Sequence, residues 1–148
     1  MTTPAAVTLD ERLCLALYTA SRAMTSRYRP LLVELGLTYP QYLVMVLLWE
    51  EGDASVGQVG ARLDLESSTL SPLLKRLQAM GLVTRTRASR DERSVTVGLT
   101  DAGRTLEARA AHVPAAICDA TALGPLDQAA LVAQLRTLAV DLGASPRP

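Results

Sequence analysis

Hydrophobic positions in this chain recur mostly at three- and four-residue intervals, a spacing that predicts a mainly helical protein. Leu9, Leu13, Leu17, Ala20 and Met24 form one such stripe, preceded by Thr8-Leu-Asp-Glu11. That tetrapeptide reads as a capping box, in which a threonine and a glutamate three residues later satisfy each other's free amides at a helix start. Pro30 cannot donate to the carbonyl of Ser26, so a kink or a break is expected there, and Gly36 ends the segment. Thr38-Tyr-Pro-Gln41 is a second box, with its proline in the first turn where a missing N–H costs little. It opens a helix over about 39–50 that is apolar on most sides, hence buried. Ser55-Val-Gly-Gln58 is a third box and starts a short helix to about Leu63. A further helix over about 67–80 stops at Gly81, with Leu70, Leu73, Leu74 and Leu77 facing inward.

Strict alternation occurs once. Leu82 to Arg87 and Ser94 to Leu99 are β-branched strands separated by Ala88 to Arg93. Thr100-Asp-Ala-Gly103 then caps a helix running past Leu106 towards Cys118, with a bend expected at Pro114. After Gly124-Pro125 a last helix carries Leu131, Leu135, Leu138 and Leu142, and the tail from Gly143 is expected to fray. The order over 55–99 is helix, turn, helix, hairpin, which is that of a winged helix-turn-helix. The fold class expected is mainly α with a small β-hairpin, in a single domain. Its winged part spans about 39–99, and helical dimerisation segments span about 9–36 and 100–143. The second helix of such a pair fits a major groove, where short hydroxyl and long basic side chains reach base edges and phosphates. The competing reading of the pattern is a small α/β core with an exposed polar helix.

Charge shifts the balance between those readings. Lysine and arginine together number 15, as do aspartate and glutamate, so the net charge is zero. Between Lys75 and Arg93, however, Lys75, Arg76, Arg85, Arg87, Arg90 and Arg93 stand against Asp91 and Glu92, which leaves that window at about +4. A local patch matters more to DNA than the sum, although a charged hairpin is also an ordinary solvated surface. The DNA-contact residues expected are Ser67, Ser68, Thr69, Ser71, Pro72, Lys75 and Arg76 on the helix. On the hairpin they are Arg85, Arg87, Arg90, Asp91 and Arg93.

Other classes find little support. No apolar run approaches the roughly 18 residues of a membrane span, and Met1 to Thr8 lacks the pattern of a secretion signal. His112 is the single histidine, with no ligand partner at metal spacing, so no metal and no cofactor are expected. There is no glycine-rich phosphate loop and no nucleophile–base pair, which argues against an enzyme. Two cysteines without a disulfide framework fit a reducing cytoplasm.

Cys14 is the candidate for chemistry. A free cysteine on an apolar helix is commonly an inert small hydrophobe. Here Tyr18, Tyr28, Tyr39 and Tyr42 all follow it within the first third of the chain. A phenol that donates to sulfur favours the thiolate, and a reachable thiolate is what peroxides oxidise. Tyr18 lies one helical turn after Cys14 and is its expected neighbour, whereas Tyr42 reads as core.

Asp91-Glu-Arg93 followed by Leu99-Thr-Asp-Ala-Gly103 resembles the wing signature of the MarR family of bacterial transcription regulators. The resemblance implies that Arg93 reaches a minor groove, that Asp91 orients it and that Arg90 adds a phosphate contact. Leu13-Cys-Leu-Ala-Leu-Tyr18, Arg27-Tyr-Arg-Pro-Leu31 and Leu37-Thr-Tyr-Pro-Gln-Tyr42 are similar to the organic-hydroperoxide-sensing branch, the OhrR repressors. This implies a homodimer on an inverted-repeat operator of double-stranded DNA, with an organic hydroperoxide as inducer. It further implies that Cys14 is the peroxidatic thiolate and that Tyr28 and Tyr39 donate to it from the other subunit. Some members of the branch carry a second cysteine where Cys118 stands, which resolves the sulfenic acid as a disulfide; Ala115, Ala116 and Ile117 beside it fit a packing role equally well. Three rival functions remain open at this level: a regulator that binds a small aromatic ligand reversibly, a thiol peroxidase, and a winged-helix protein-interaction module.

Overall fold

The computed structural model describes residues 6–88 and 91–144, with side chains across the hairpin described up to Arg87 and again from Ser94. Arg90 and the side chains of Asp91 and Arg93 therefore lie outside the described residues, as does the end of the tail. The elements run α1 (Leu13–Val33), α2 (Tyr39–Glu51), β1 (Ala54–Ser55), α3 (Val56–Leu63), α4 (Ser67–Ala79), β2 (Val83–Ala88), β3 (Asp91–Leu99), α5 (Asp101–Ala110), α6 (Val113–Thr121) and α7 (Pro125–Asp141).

Two of the three capping boxes form as expected. Thr38 N–H donates to Gln41 Oε1 at 2.9 Å while Gln41 N–H donates back to Thr38 Oγ1 at 3.4 Å. Ser55 and Gln58 repeat the exchange at 2.8 and 3.1 Å. The first box does not start a helix. Both the amide and the hydroxyl of Thr8 donate to Glu11 Oε2, so no side-chain oxygen is turned towards the Glu11 amide. The segment closes as a separate turn, and α1 begins at Leu13 with Arg12 as an N-cap that makes no side-chain bond. Leu9 is thereby left outside α1.

Pro30 does not break α1, which continues to Val33. Ser26 and Pro30 are both exposed, so the carbonyl that loses its donor faces water. Gly36 adopts φ +70 and lets the Leu37 N–H return to the Leu32 carbonyl, the left-handed closure that favours glycine. After the wing, the expected bend at Pro114 is instead a full break: α5 stops at Ala110 and α6 restarts at Val113. Pro114 falls in the first turn of the new helix, where its missing N–H was free in any case.

The hairpin is part of a three-stranded antiparallel sheet in the order β1-β3-β2. β1, which pairs Ala54 with Val97 and Ser55 with Thr96, is too short to show alternation and is invisible in the sequence pattern. The core lies between this sheet and α2, α3, α4 and α5. Val44, Met45, Leu48, Val59, Leu70, Leu74, Leu77, Val83 and Val97 are essentially inaccessible. Leu73 of the expected inward face is only partly buried.

One joint ties the core to the following helices. Thr100 N–H donates to the Leu82 carbonyl, and its hydroxyl donates to the Gly81 carbonyl at 2.5 Å. Gly103 packs so tightly there that a Cβ would collide with the Leu82 carbonyl oxygen. The Gly103 carbonyl accepts from Trp49 Nε1 at 2.9 Å. Farther along, Arg109 Nη2 donates to the Glu34 carbonyl at 2.8 Å, binding α5 to the end of α1.

Candidate functional site

The candidate reading surface follows from the amphipathic division of α4. Leu70, Leu74 and Leu77 are buried, which turns Ser67, Ser68, Thr69, Pro72, Lys75 and Arg76 outward. Ser71 is half-buried at the edge of that face. Arg62 of α3 donates to Glu51 of α2 at 2.8 Å, fixing the first helix of the pair against the core. Arg87 is exposed, whereas Arg85 is half-buried and donates from Nε to Gln78 Oε1 on α4 at 2.8 Å. Gln78 had no signal in the sequence, because the contact joins a helix to a strand and follows no local spacing.

At the other end of the molecule the tyrosines divide. Tyr28 of α1 packs on Tyr39 and Tyr42 of α2, with ring centroids 4.8 and 5.7 Å apart, and Tyr42 meets Trp49 edge-on at 6.4 Å. Burial pushes the Tyr28 phenol up to about 12, with Tyr39, Tyr42 and nearby Cys118 adding to the effect. Burial likewise raises Tyr39 and Tyr42. These phenols therefore keep their protons at neutral pH and remain hydrogen-bond donors. Tyr42 is almost wholly buried, consistent with its reading as core. Tyr18 stands apart: it is 62% exposed, and Arg22 lies over its ring at 5.4 Å.

Cys14 is exposed on α1, and Cys118 is half-buried on α6; both are free thiols. Cys118 borders an open groove of about 610 Å³ lined by Leu123, Pro125, Ala129 and Val132 of the α6–α7 region. Within one chain Cys14 and Tyr28 cannot meet. They are 14 positions apart on the same continuous helix, which at about 1.5 Å per residue separates them by roughly 21 Å. One chain thus brings together Tyr28, Tyr39 and Cys118, and leaves Cys14 with Tyr18 a long way off.

The terminal helices explain how that gap could close. α7 has no buried residue in its 17 positions, and Leu126, Leu131, Val132, Leu135 and Val140 are exposed. An exposed apolar face of this kind is what a subunit interface would cover.

Among the described residues no cluster of histidine, cysteine, aspartate and glutamate could hold a metal, and no helix is long and apolar enough to cross a membrane.

A family profile described as transcriptional regulator SarA/Rot matches residues 26–109. The organic hydroperoxide resistance transcriptional regulator of Bacillus subtilis is 48% identical over 109 residues, 74% of each chain. The chain is a MarR-like transcription regulator. A second relative of the MarR-like regulator, the HTH-type transcriptional regulator TtmR of Methylorubrum extorquens, is 45% identical over 92% of the chain and 70% of its own length. Among solved structures, reduced AbfR bound to DNA, a protein of Staphylococcus epidermidis, aligns with a TM-score of 0.77 at 34% identity, covering 90% of this chain and 94% of that one. The disulfide-containing form of AbfR, at the same identity, aligns with a TM-score of only 0.62 over 90% and 89% of the two chains. Overoxidized AbfR bound to DNA also aligns at 0.77, so the present conformation lies closer to the DNA-bound forms of that protein than to its disulfide form. These relatives are transcription regulators, in keeping with the absence of enzymatic motifs in the sequence.

Proposed function

We propose that this MarR-like regulator is a cytoplasmic homodimeric repressor that senses organic hydroperoxides through Cys14. Reduced dimer grips an inverted-repeat operator. Each α4 enters a major groove, and each wing, through Arg93 oriented by Asp91 and with Arg90 on a phosphate, reaches the flanking backbone and minor groove. The observation that carries the sensing half is the separation of roughly 21 Å that one rigid helix sets between Cys14 and Tyr28, the ring on which Tyr39 packs. A second chain running the other way closes that gap and brings the partner's Cys14 to protonated Tyr28 and Tyr39.

The chemistry then balances simply. The Cys14 thiolate attacks one peroxide oxygen of ROOH, the O–O bond breaks, and RO⁻ leaves to take a proton as ROH. The sulfur, oxidised by two electrons, carries the oxygen as sulfenic acid. The Cys118 thiol of the opposite subunit attacks that sulfur, an S–S bond forms and water departs. Drawing α1 and the partner's α6 together turns the reading heads away from their grooves. A hundredfold loss of operator affinity needs only about 2.7 kcal/mol between the two states.

Operator binding measured by gel shift before and after one equivalent of cumene hydroperoxide tests the proposal. Cys14→Ser should bind as wild type does and stay bound after peroxide. Release of Cys14→Ser by peroxide as complete as in wild type would overturn the sensing role. Peptide mapping of oxidised wild-type dimer should recover Cys14 joined to Cys118 between subunits.

A further inference from the structure

Arg85 and Arg87 are two positions apart on β2, so their side chains share the face of the sheet that turns towards α4. They border a cleft of about 170 Å³ between α4 and the wing, closed by Gln78 and Val95. Gln78 lies in the last turn of α4, and its side-chain oxygen Oε1 accepts from Arg85 Nε at 2.8 Å. This contact consumes the one guanidinium N–H that points along the side chain, and among the described residues neither terminal nitrogen has a partner. The amide nitrogen of Gln78 offers two further donors. Every polar group facing the cleft from these three side chains is then a donor, apart from the Gln78 oxygen already in use. Val95 supplies an apolar floor that makes no demand for water.

We propose that Gln78 is a positioning residue. It holds the Arg85 guanidinium so that Arg85 and Arg87 together seat one DNA backbone phosphate in the cleft between the recognition helix and the wing. A long arginine left free must lose side-chain entropy on contact, whereas one already fixed at Nε meets the phosphate with its terminal nitrogens pre-aimed. The seat reads no base. It sets how deeply α4 sits in its groove by fixing the backbone strand that separates the helix from the wing. This inference rests on the DNA-binding part of the proposed function and is independent of the thiol chemistry.

The test uses reduced full-length protein and a fluorescein-labelled duplex selected by wild type from a random-sequence pool. Binding is followed by anisotropy across a salt series. Arg85→Ala should lower the slope of log affinity against log salt by about one. Gln78→Ala should weaken binding about three- to tenfold, a range equal to roughly 0.7–1.4 kcal/mol. That loss should disappear when Arg85 is already alanine, because the two act through one contact. Gln78→Met, which keeps the side-chain length without the acceptor, should reproduce Gln78→Ala and serves in its place if alanine unfolds the helix end. A Gln78→Met protein that binds within twofold of wild type would overturn the positioning role, as would an equal loss with and without Arg85. An unchanged salt slope in Arg85→Ala would overturn the phosphate seat. Failure of wild type to enrich any duplex would instead sink the DNA-binding reading beneath it.

Discussion

The winged region from α2 to β3 and the last helix, α7, dispose of their apolar residues in opposite ways. In the winged region Val44, Leu48, Val59, Leu70, Leu74, Leu77, Val83 and Val97 are inaccessible, both internal capping boxes close, and Trp49 finds a carbonyl 54 positions away. In α7 not one side chain is buried, and Leu126 is 87% exposed. This opposite burial separates a part whose core closes within one chain from a helix whose apolar face is left uncovered. The reader is finished within one chain. The proposed sensor, with Cys14 at one end of α1 and Tyr28 near the other, is not.

Three changes would break or sharpen that contrast. The largest effect should come from Leu74→Ala, which empties a fully enclosed position in the winged core and should cost about 2–5 kcal/mol. Chemical denaturation should show it, whereas Leu135→Ala on α7 should hardly change the unfolding of the separate chain. Next, the double change Val132→Asp and Leu135→Asp puts charge on the uncovered face of α7 and should produce a monomer in analytical ultracentrifugation. With only one reading head left per molecule, operator affinity should fall by a factor of about 10² or more. A dimer that persists would show that α7 is not the completing surface.

The smallest effect concerns alkaline pH. Tyr28 is raised in the fold to about 12, so folded and unfolded chains bind its proton equally below the ordinary phenol range near 10. Stability from this group is therefore fully present below pH 10 and is lost as pH rises towards 12, because the unfolded chain ionises first. Tyr28→Phe should flatten that part of the melting-temperature profile between pH 10 and 12. A Tyr28→Phe profile that falls as steeply as wild type would place the alkaline weakness elsewhere.

Legibility in the sequence followed the same divide. Capping boxes at Thr38 and Ser55, the leucines of α4 and the β-branched strands are local signals, and the helices and hairpin they announced are present. The errors came where an outcome depended on something beyond the local pattern. Thr8 and Glu11 have the right spacing, but the hydroxyl donates to the carboxylate and the helix starts later. Pro30 and Pro114 have the same missing N–H and opposite consequences, one tolerated at an exposed position and one opening a new helix. β1 is two residues long and owes its existence to β3. At the site, Cys14, Tyr28 and Tyr39 could be singled out by residue type and resemblance. Their separation along α1, and the hold of Gln78 on Arg85, are three-dimensional facts with no periodic trace.

Trp49 is the sole indole in the chain, and it is fastened across the joint between the winged core and α5. Any swivel of the reading head about that joint must bend or sever the bond to Gly103 and alter the polarity around the ring. The protein therefore carries its own optical gauge for the head rotation proposed above: ultraviolet emission from a single unlabelled site, to be followed in real time as oxidant is added.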